Sequence, residues 1–289
     1  MAPTRHRSGL LLAAQGAVLA VVLVLGAVSA SARPDSRLPE LLRAPTGPVV
    51  VAHRGGAAEG PENTLPAYET ALEGGARVVE GDLRITADGR IVLMHDSTVD
   101  RTTDGRGPVG RLSLAELRAL DAGSWFAPAF AGTRVPTLEE LLELLGRYDA
   151  AVILELKGPW TPGQVAGLRE ELRRRGMEGR AVIASFSVVA VRAALAAAPE
   201  IPRMLLCKGL GQATAEMAGL LDVVAVGTNP DAASGLPAAV GELRAAGFGV
   251  LLYTLNSTRQ WEEAAEDGVD GIISDRPAAV AAWMAGGGP

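Results

Sequence analysis

The sequence predicts an α/β protein, a (β/α)8 TIM barrel with an insertion after its second strand. Eight short runs rich in Val, Ile and Leu recur at 49–52, 78–85, 151–156, 181–185, 204–207, 223–226, 249–255 and 271–274. Helical patterns follow them at 64–72, 138–145, 162–175, 188–198, 212–221, 236–246, 259–266 and 278–284. Apolar strands without polar alternation are buried on both faces, which is the condition of a parallel sheet covered by helices. The 257 residues after Ala32 suit eight strand–helix units. An open doubly wound sheet is the competing layout, but no G-x-G-x-x-G follows the first strand.

Composition agrees with a folded domain. Of 289 residues, 48% are hydrophobic and 21% charged, which excludes a disordered, collagenous or coiled-coil chain. The net charge is -6, and beyond residue 32 the chain holds 25 basic against 33 acidic residues. Nucleic acid is therefore excluded as a partner, because such binding needs a dense basic surface to displace counterions. Cys207 is the single cysteine, so no internal disulfide forms, and it is expected to serve as a small buried hydrophobe.

Taken in order, residues 1–32 read as an export signal. Arg5 and Arg7 precede an uncharged run from Leu10 to Val28, and Ala30-Ser31-Ala32 offers small residues for cleavage before Arg33. The run is 19 residues long, enough to span a bilayer, so an uncleaved membrane anchor through 10–28 is the alternative. In both cases the basic flank places the rest of the chain outside the cytoplasm, secreted or in the cell envelope. Residues 33–47 form a Pro/Gly-containing linker, and 48–289 the barrel domain. After the second strand, the ADGR turn at 87–90 returns the chain through 91–96, and a Gly-rich excursion occupies about 97–136. Trp125, Phe126 and Phe130 are expected to anchor that excursion to the barrel, with lining of a substrate slot as the alternative, and Arg101 to pair with Asp104 inside it.

Chemistry concentrates at strand ends. Beyond the N-terminal segment the chain has two histidines, His53 and His95, and each closes an apolar run. The carboxyl ends of strands form the active face of such a barrel. Glu80 and Asp82 are two apart on the second strand and share one face, with Gly81 leaving space for a close neighbour on the other. Two carboxylates on one face of an apolar strand are costly without a compensating cation. Glu155 and Lys157 repeat the spacing on the strand at 151–156. Three carboxylates make a hard oxygen site suited to Ca2+ or Mg2+. An ion pair of Lys157 with Glu155 or Glu80 is the purely structural alternative. Lys157 is one of two lysines against 25 arginines, so composition does not explain its place. Asp96, next to His95, is expected to point away from it if the strand continues.

The ordered set HRGG at 53–56, PENT at 61–64, E-G-D at 80–82, HD at 95–96 and ELK at 155–157 resembles the glycerophosphodiester phosphodiesterase family. The likeness continues through LSLAELRALDAGSWF, VPTLEELL, YTLN and DGIISDRP, and so covers nearly everything after the linker. It implies an enzyme that splits glycerophosphodiesters into glycerol 3-phosphate and an alcohol. By the same resemblance His53 and His95 are the general acid and base, Glu80, Asp82 and Glu155 hold a divalent cation, and Arg54 and Lys157 contact the phosphate. Glu62 and Asn63, beside His53, are candidates to orient it or to bind glycerol hydroxyls, with helix capping by Asn63 or Thr64 as the other use. Two departures touch the rim of the site: Tyr253 stands where the family has tryptophan, and Arg276 where a shorter side chain precedes proline.

The nucleophile, water or the neighbouring glycerol hydroxyl, stays open, as do the alcohol and the oligomeric state. A barrel phospholipase acting at a membrane surface gains little from an aromatic content of 4%. A non-catalytic barrel binding phosphoglycerol polymers has no need of an acid and base pair.

Overall fold

The computed structural model describes residues 47–232 and 235–287; the expected export signal and the linker up to residue 46 lie outside the described residues. The strands are β1 (Val49–Ala52), β2 (Val78–Ile85), β3 (Ile91–Leu93), β4 (Ala151–Leu156), β5 (Ala181–Ser185), β6 (Arg203–Cys207), β7 (Ala225–Thr228), β8 (Gly249–Leu252) and β9 (Gly271–Ser274). All except β3 run parallel, in the spatial order β1-β9-β8-β7-β6-β5-β4-β2. Pairing of β1 with β2, Val51 opposite Val78, closes the ring into an eight-stranded barrel. The antiparallel β3 lies outside it, on the β2 edge, with Ile85 opposite Ile91.

Helices surround the barrel: α1 (Leu65–Glu73), α2 (Leu114–Arg118), α3 (Leu138–Tyr148), α4 (Pro162–Arg174), α5 (Val188–Ala197), α6 (Gln212–Leu220), α7 (Leu236–Ala245), α8 (Thr258–Glu266) and α9 (Pro277–Ala285). Capping boxes start three of them, Ser113 with Glu116, Thr137 with Glu140 and Thr161 with Gln164. Each box satisfies amides that the first helical turn leaves unpaired.

Buried apolar side chains divide by face. Val51, Val78, Ile153, Val182, Met204, Leu251 and Ile273 fill the barrel interior. Leu141, Leu145, Val152, Leu154, Leu168 and Ile183 are among those packed between strands and helices. The excursion has its own small core, in which Val92, Met94, Val99, Val109, Leu117 and Val135 meet. That core makes it a built extension of the β2–β3 hairpin. Its aromatic side chains stack mainly on one another, Trp125 on Phe126 with ring centroids 5.8 Å apart and Phe126 on Phe130 at 5.5 Å.

Two strands differ from expectation. The strand expected at 223–226 starts at Ala225, because Asp222 turns the chain with φ 46° and pairing with β6 begins at Met204 opposite Ala225. The strand expected at 249–255 ends at Leu252, where Tyr253 turns its hydroxyl across to the Cys207 carbonyl at 2.5 Å. Cys207 is half-buried beside the apolar cluster of β7 and α7, and burial pushes its thiol pKa up.

Candidate active site

A cavity of about 130 Å³ opens at the carboxyl ends of the strands, lined by His53, Arg54, Glu80, His95, Glu155 and Lys157 on its polar side. The strand register assembles this set. Asp82 pairs with Glu155 across β2 and β4, so the carboxylates of two strands stand side by side. One oxygen from each of Glu80, Asp82 and Glu155 lies within 4.8 Å of the others, and all three residues are buried. Hard oxygen donors gathered this closely are suited to a divalent cation.

Like charges held so near one another change their proton affinity. Burial, then Asp82 and Glu155, pushes Glu80 well above the usual carboxylate range. Burial and Asp82 push Glu155 up to about 7. Asp82 moves the other way: against the cost of burial, Arg54 and Lys157 hold it below its ordinary value. Proton affinity thus rises at Glu80 and Glu155 and falls at Asp82 between them.

Two cations brace it. Arg54 donates its backbone N–H to Glu80 Oε2 at 2.9 Å and its Nη1 to Glu62 Oε1 at 2.8 Å, while Nε makes ion-pair contact with Asp82 Oδ2 at 3.2 Å. Lys157 Nζ lies 2.8 Å from Glu155 Oε1 and 3.4 Å from Asp82 Oδ1. The ion pair of Lys157 with Glu155 is therefore real, and it coexists with a place on the cavity wall.

Space for the cluster comes from Gly81. A Cβ there would overlap the Tyr68 hydroxyl, which is the close neighbour that the glycine admits. Tyr68 donates to Asn63 Oδ1 at 2.9 Å, and Asn63 Nδ2 donates to Asp82 Oδ2 at 2.8 Å. Asn63 is thus a strut behind the carboxylates. Its side chain does not cap α1; the capping residue is Thr64, whose hydroxyl donates to the Pro61 carbonyl instead. Glu62 bridges Arg54 and Arg101 and also stands behind the cavity. Neither Glu62 nor Asn63 orients His53 as expected.

That task falls to Asp275, whose Oδ1 is 2.6 Å from His53 Nδ1. Asp275 is held below its ordinary pKa despite burial, by His53 and by the Asn256 side chain, which donates to its Oδ2 at 2.6 Å. An ionised carboxylate only accepts hydrogen bonds, so Nδ1 carries the hydrogen and Nε2 is left for chemistry. His95 repeats the arrangement with Asp96, Nδ1 to Oδ1 at 2.7 Å. Asp96 does not point away, because β3 stops at Leu93 and the strand alternation no longer applies. Arg101 binds Asp96 Oδ2 at 2.7 Å and Glu62 Oε2 at 2.7 Å, and keeps Asp96 well below the carboxylate range. The expected pairing of Arg101 with Asp104 is replaced by these bonds; Asp104 accepts from the Asp121 amide. Burial, foremost, lowers the pKa of His95.

The remaining wall is apolar. Phe186 and Tyr253 meet edge to face, centroids 5.8 Å apart, above Met204, Leu206 and Ile273. Sequence reasoning passed over Phe186, Asp275, Asn256, Arg101 and Tyr68 as site residues. YTLN and SDRP, the segments holding Asn256 and Asp275, were the available signal.

Comparison with known proteins fits this geometry. The profile of the glycerophosphoryl diester phosphodiesterase family matches residues 53–279. The chain belongs to that family. A glycerophosphodiester phosphodiesterase of Caldanaerobacter subterraneus is 37% identical over 79% of this chain and 94% of its own. Its Bacillus subtilis counterpart is 34% identical over 89% of this chain and 93% of its own. Among solved structures, a phosphodiesterase of Oleispira antarctica in complex with the product sn-glycerol-3-phosphate superposes with a TM-score of 0.78. It is 31% identical and covers 83% of this chain and 97% of its own.

Proposed function

We propose that this chain hydrolyses glycerophosphodiesters to glycerol 3-phosphate and an alcohol, with His53 and His95 as the acid–base pair. The observation that carries this is the pair of histidine–carboxylate bonds on one cavity, His53 with Asp275 and His95 with Asp96. Each leaves Nε2 as the working nitrogen, one to take the proton from the attacking hydroxyl and one to protonate the leaving oxygen. A non-catalytic barrel leaves both pairs without a task.

Glu80, Asp82 and Glu155 would hold the divalent cation, Ca2+ or Mg2+, and the unusually high proton affinity of two of them is the mark of a cluster short of positive charge. Bound there, the cation supplies charge stabilisation to the phosphoryl oxygens. Arg54 and Lys157 add to it from the same wall and fix the diester's orientation. Phe186 and Tyr253 offer an apolar opposite side to the rest of the substrate.

The protein would do this outside the cytoplasm, an inference supported by Arg5, Arg7 and the uncharged run from Leu10 to Val28. N-terminal sequencing of the exported protein checks the leader: a start at Arg33 means cleavage, and an intact N-terminus means an anchor. Turnover of glycerophosphocholine and glycerophosphoglycerol with Ca2+, Mg2+ or chelator, alongside His53→Ala and His95→Ala, tests the reaction. Release of glycerol 3-phosphate must need the cation and both histidines. An active double alanine variant would falsify the acid–base assignment.

A further inference from the structure

A second cavity of about 260 Å³ adjoins the catalytic one, and Lys157 lines both. Its walls are Arg84, Ser97, Gly110, Trp160 and Gln164, with the remainder apolar, and no Asp or Glu lines it.

The two cations arise from the sheet itself. Arg84 follows Asp82 by two residues on β2, and Lys157 follows Glu155 by two at the end of β4, so each continues the face that carries a carboxylate. Asp82 and Glu155 are register partners, and Leu83 and Leu156 are the next pair. Arg84 and Lys157 therefore come next to each other, one step beyond the carboxylates. Lys157 spends its charge on Glu155 and Asp82. Arg84 does not: its Nε and Nη2 donate to the neutral His95 carbonyl at 3.0 and 2.5 Å, and among the described residues it ion-pairs with no carboxylate. Asp82, Asp96 and Glu155 act on this guanidinium only from beyond ion-pair distance, so its hydrogen-bonding edge and Lys157 give a cavity without acidic lining a positive wall.

We infer that this cavity receives the alcohol portion of the substrate beyond the leaving oxygen, and that it selects alcohols carrying a phosphate. The inference rests on the phosphodiesterase reading above. The diester phosphate sits by Lys157 in the catalytic cavity, and the chain of the alcohol passes Lys157 to bring its own phosphate to Arg84.

The test adds a negative charge to the cavity without touching the catalytic set. Gln164→Glu is nearly isosteric and keeps the capping bonds that the Thr161 amide and hydroxyl donate to the Gln164 side chain. Gly110→Asp acts from the opposite wall, where a Cβ meets only the Ile85 carbonyl oxygen, at 3.7 Å. Values of kcat/KM are compared for glycerophosphoglycerol and for the same diester with a terminal phosphate on one glycerol. Wild type is expected to prefer the phosphate-bearing diester. Each variant should lower that diester's kcat/KM about fivefold, the size of one like-charge contact in a wet site, and leave glycerophosphoglycerol within about twofold. Equal effects on the two diesters, or none on either, overturn the subsite. Failure of the wild type to split glycerophosphoglycerol overturns the phosphodiesterase reading and the subsite with it.

Discussion

His53 and Asp275 are 222 positions apart in the chain and 2.6 Å apart in space. Each is the first residue beyond its strand, and those strands, β1 and β9, pair with Ala52 opposite Ser274. Pairing of the first strand with the last therefore places the carboxylate beside the imidazole. The strand pairing that joins the two ends of the barrel domain also sets the tautomer of His53.

Asp275→Asn follows from that relationship. The amide no longer holds an ionised acceptor against Nδ1, so His53 loses both its fixed tautomer and its orientation. The expected result is a fall in kcat of about a hundredfold, with KM changed less than about twofold and Tm nearly unchanged. Steady-state kinetics and thermal unfolding of the purified variant check it. A KM effect alone would assign Asp275 to substrate binding.

Metal binding should be linked to pH. A carboxyl whose pKa is raised by folding, as Glu155 is to about 7 and Glu80 is in the same direction, binds its proton more tightly in the folded chain. Its stabilising effect is full below the ordinary Glu value of 4.5 and is lost as pH rises through the folded value. Asp82 acts in the opposite sense, losing stability as pH falls below its ordinary 3.8. Between these limits the metal-free protein weakens with rising pH, and a divalent cation replaces the missing protons. The rise in Tm on adding Ca2+ or Mg2+ is expected to be larger at about pH 8 than at about pH 5.5. Equal rises would mean that the cluster does not take the ion.

Glu80→Gln separates the two uses of the cluster. The amide oxygen still accepts from the Arg54 backbone, but a carboxyl whose ionisation at high pH is opposed by burial, Asp82 and Glu155 is gone. Without metal the variant is expected to unfold higher than wild type, by ~2–4 °C for each 1 kcal/mol of relieved repulsion. Addition of Ca2+ or Mg2+ should then give little further rise, and turnover should be lost. Scanning calorimetry with and without chelator distinguishes this from simple damage to the fold.

Gly81→Ala probes the strut behind the carboxylates. The added methyl meets the buried Tyr68 hydroxyl and should cost about 1–3 kcal/mol. Combining it with Tyr68→Phe removes the colliding oxygen and is expected to recover part of that loss. The coupling is read from urea unfolding of both single variants and the double. Strict additivity would show that the strain lies elsewhere.

Much of this protein is legible from local pattern. The apolar runs mark the eight barrel strands, and two-residue alternation puts Glu80 with Asp82, and Glu155 with Lys157, on shared faces. The histidines at 53 and 95 fall at strand ends by position alone. These features follow from backbone stereochemistry, which fixes side-chain direction within a strand whatever the strand later meets. Other features escape such reading. The direction of Asp96 depended on β3 stopping at Leu93, and the partners of Arg101 on where the excursion folds back over α1's leading loop. Asp275, Asn256, Phe186 and Arg84 acquire meaning only from register across closed strands. Hydrogen bonds and charge pairs act over a few ångströms, and only the tertiary structure decides which distant residues come that close.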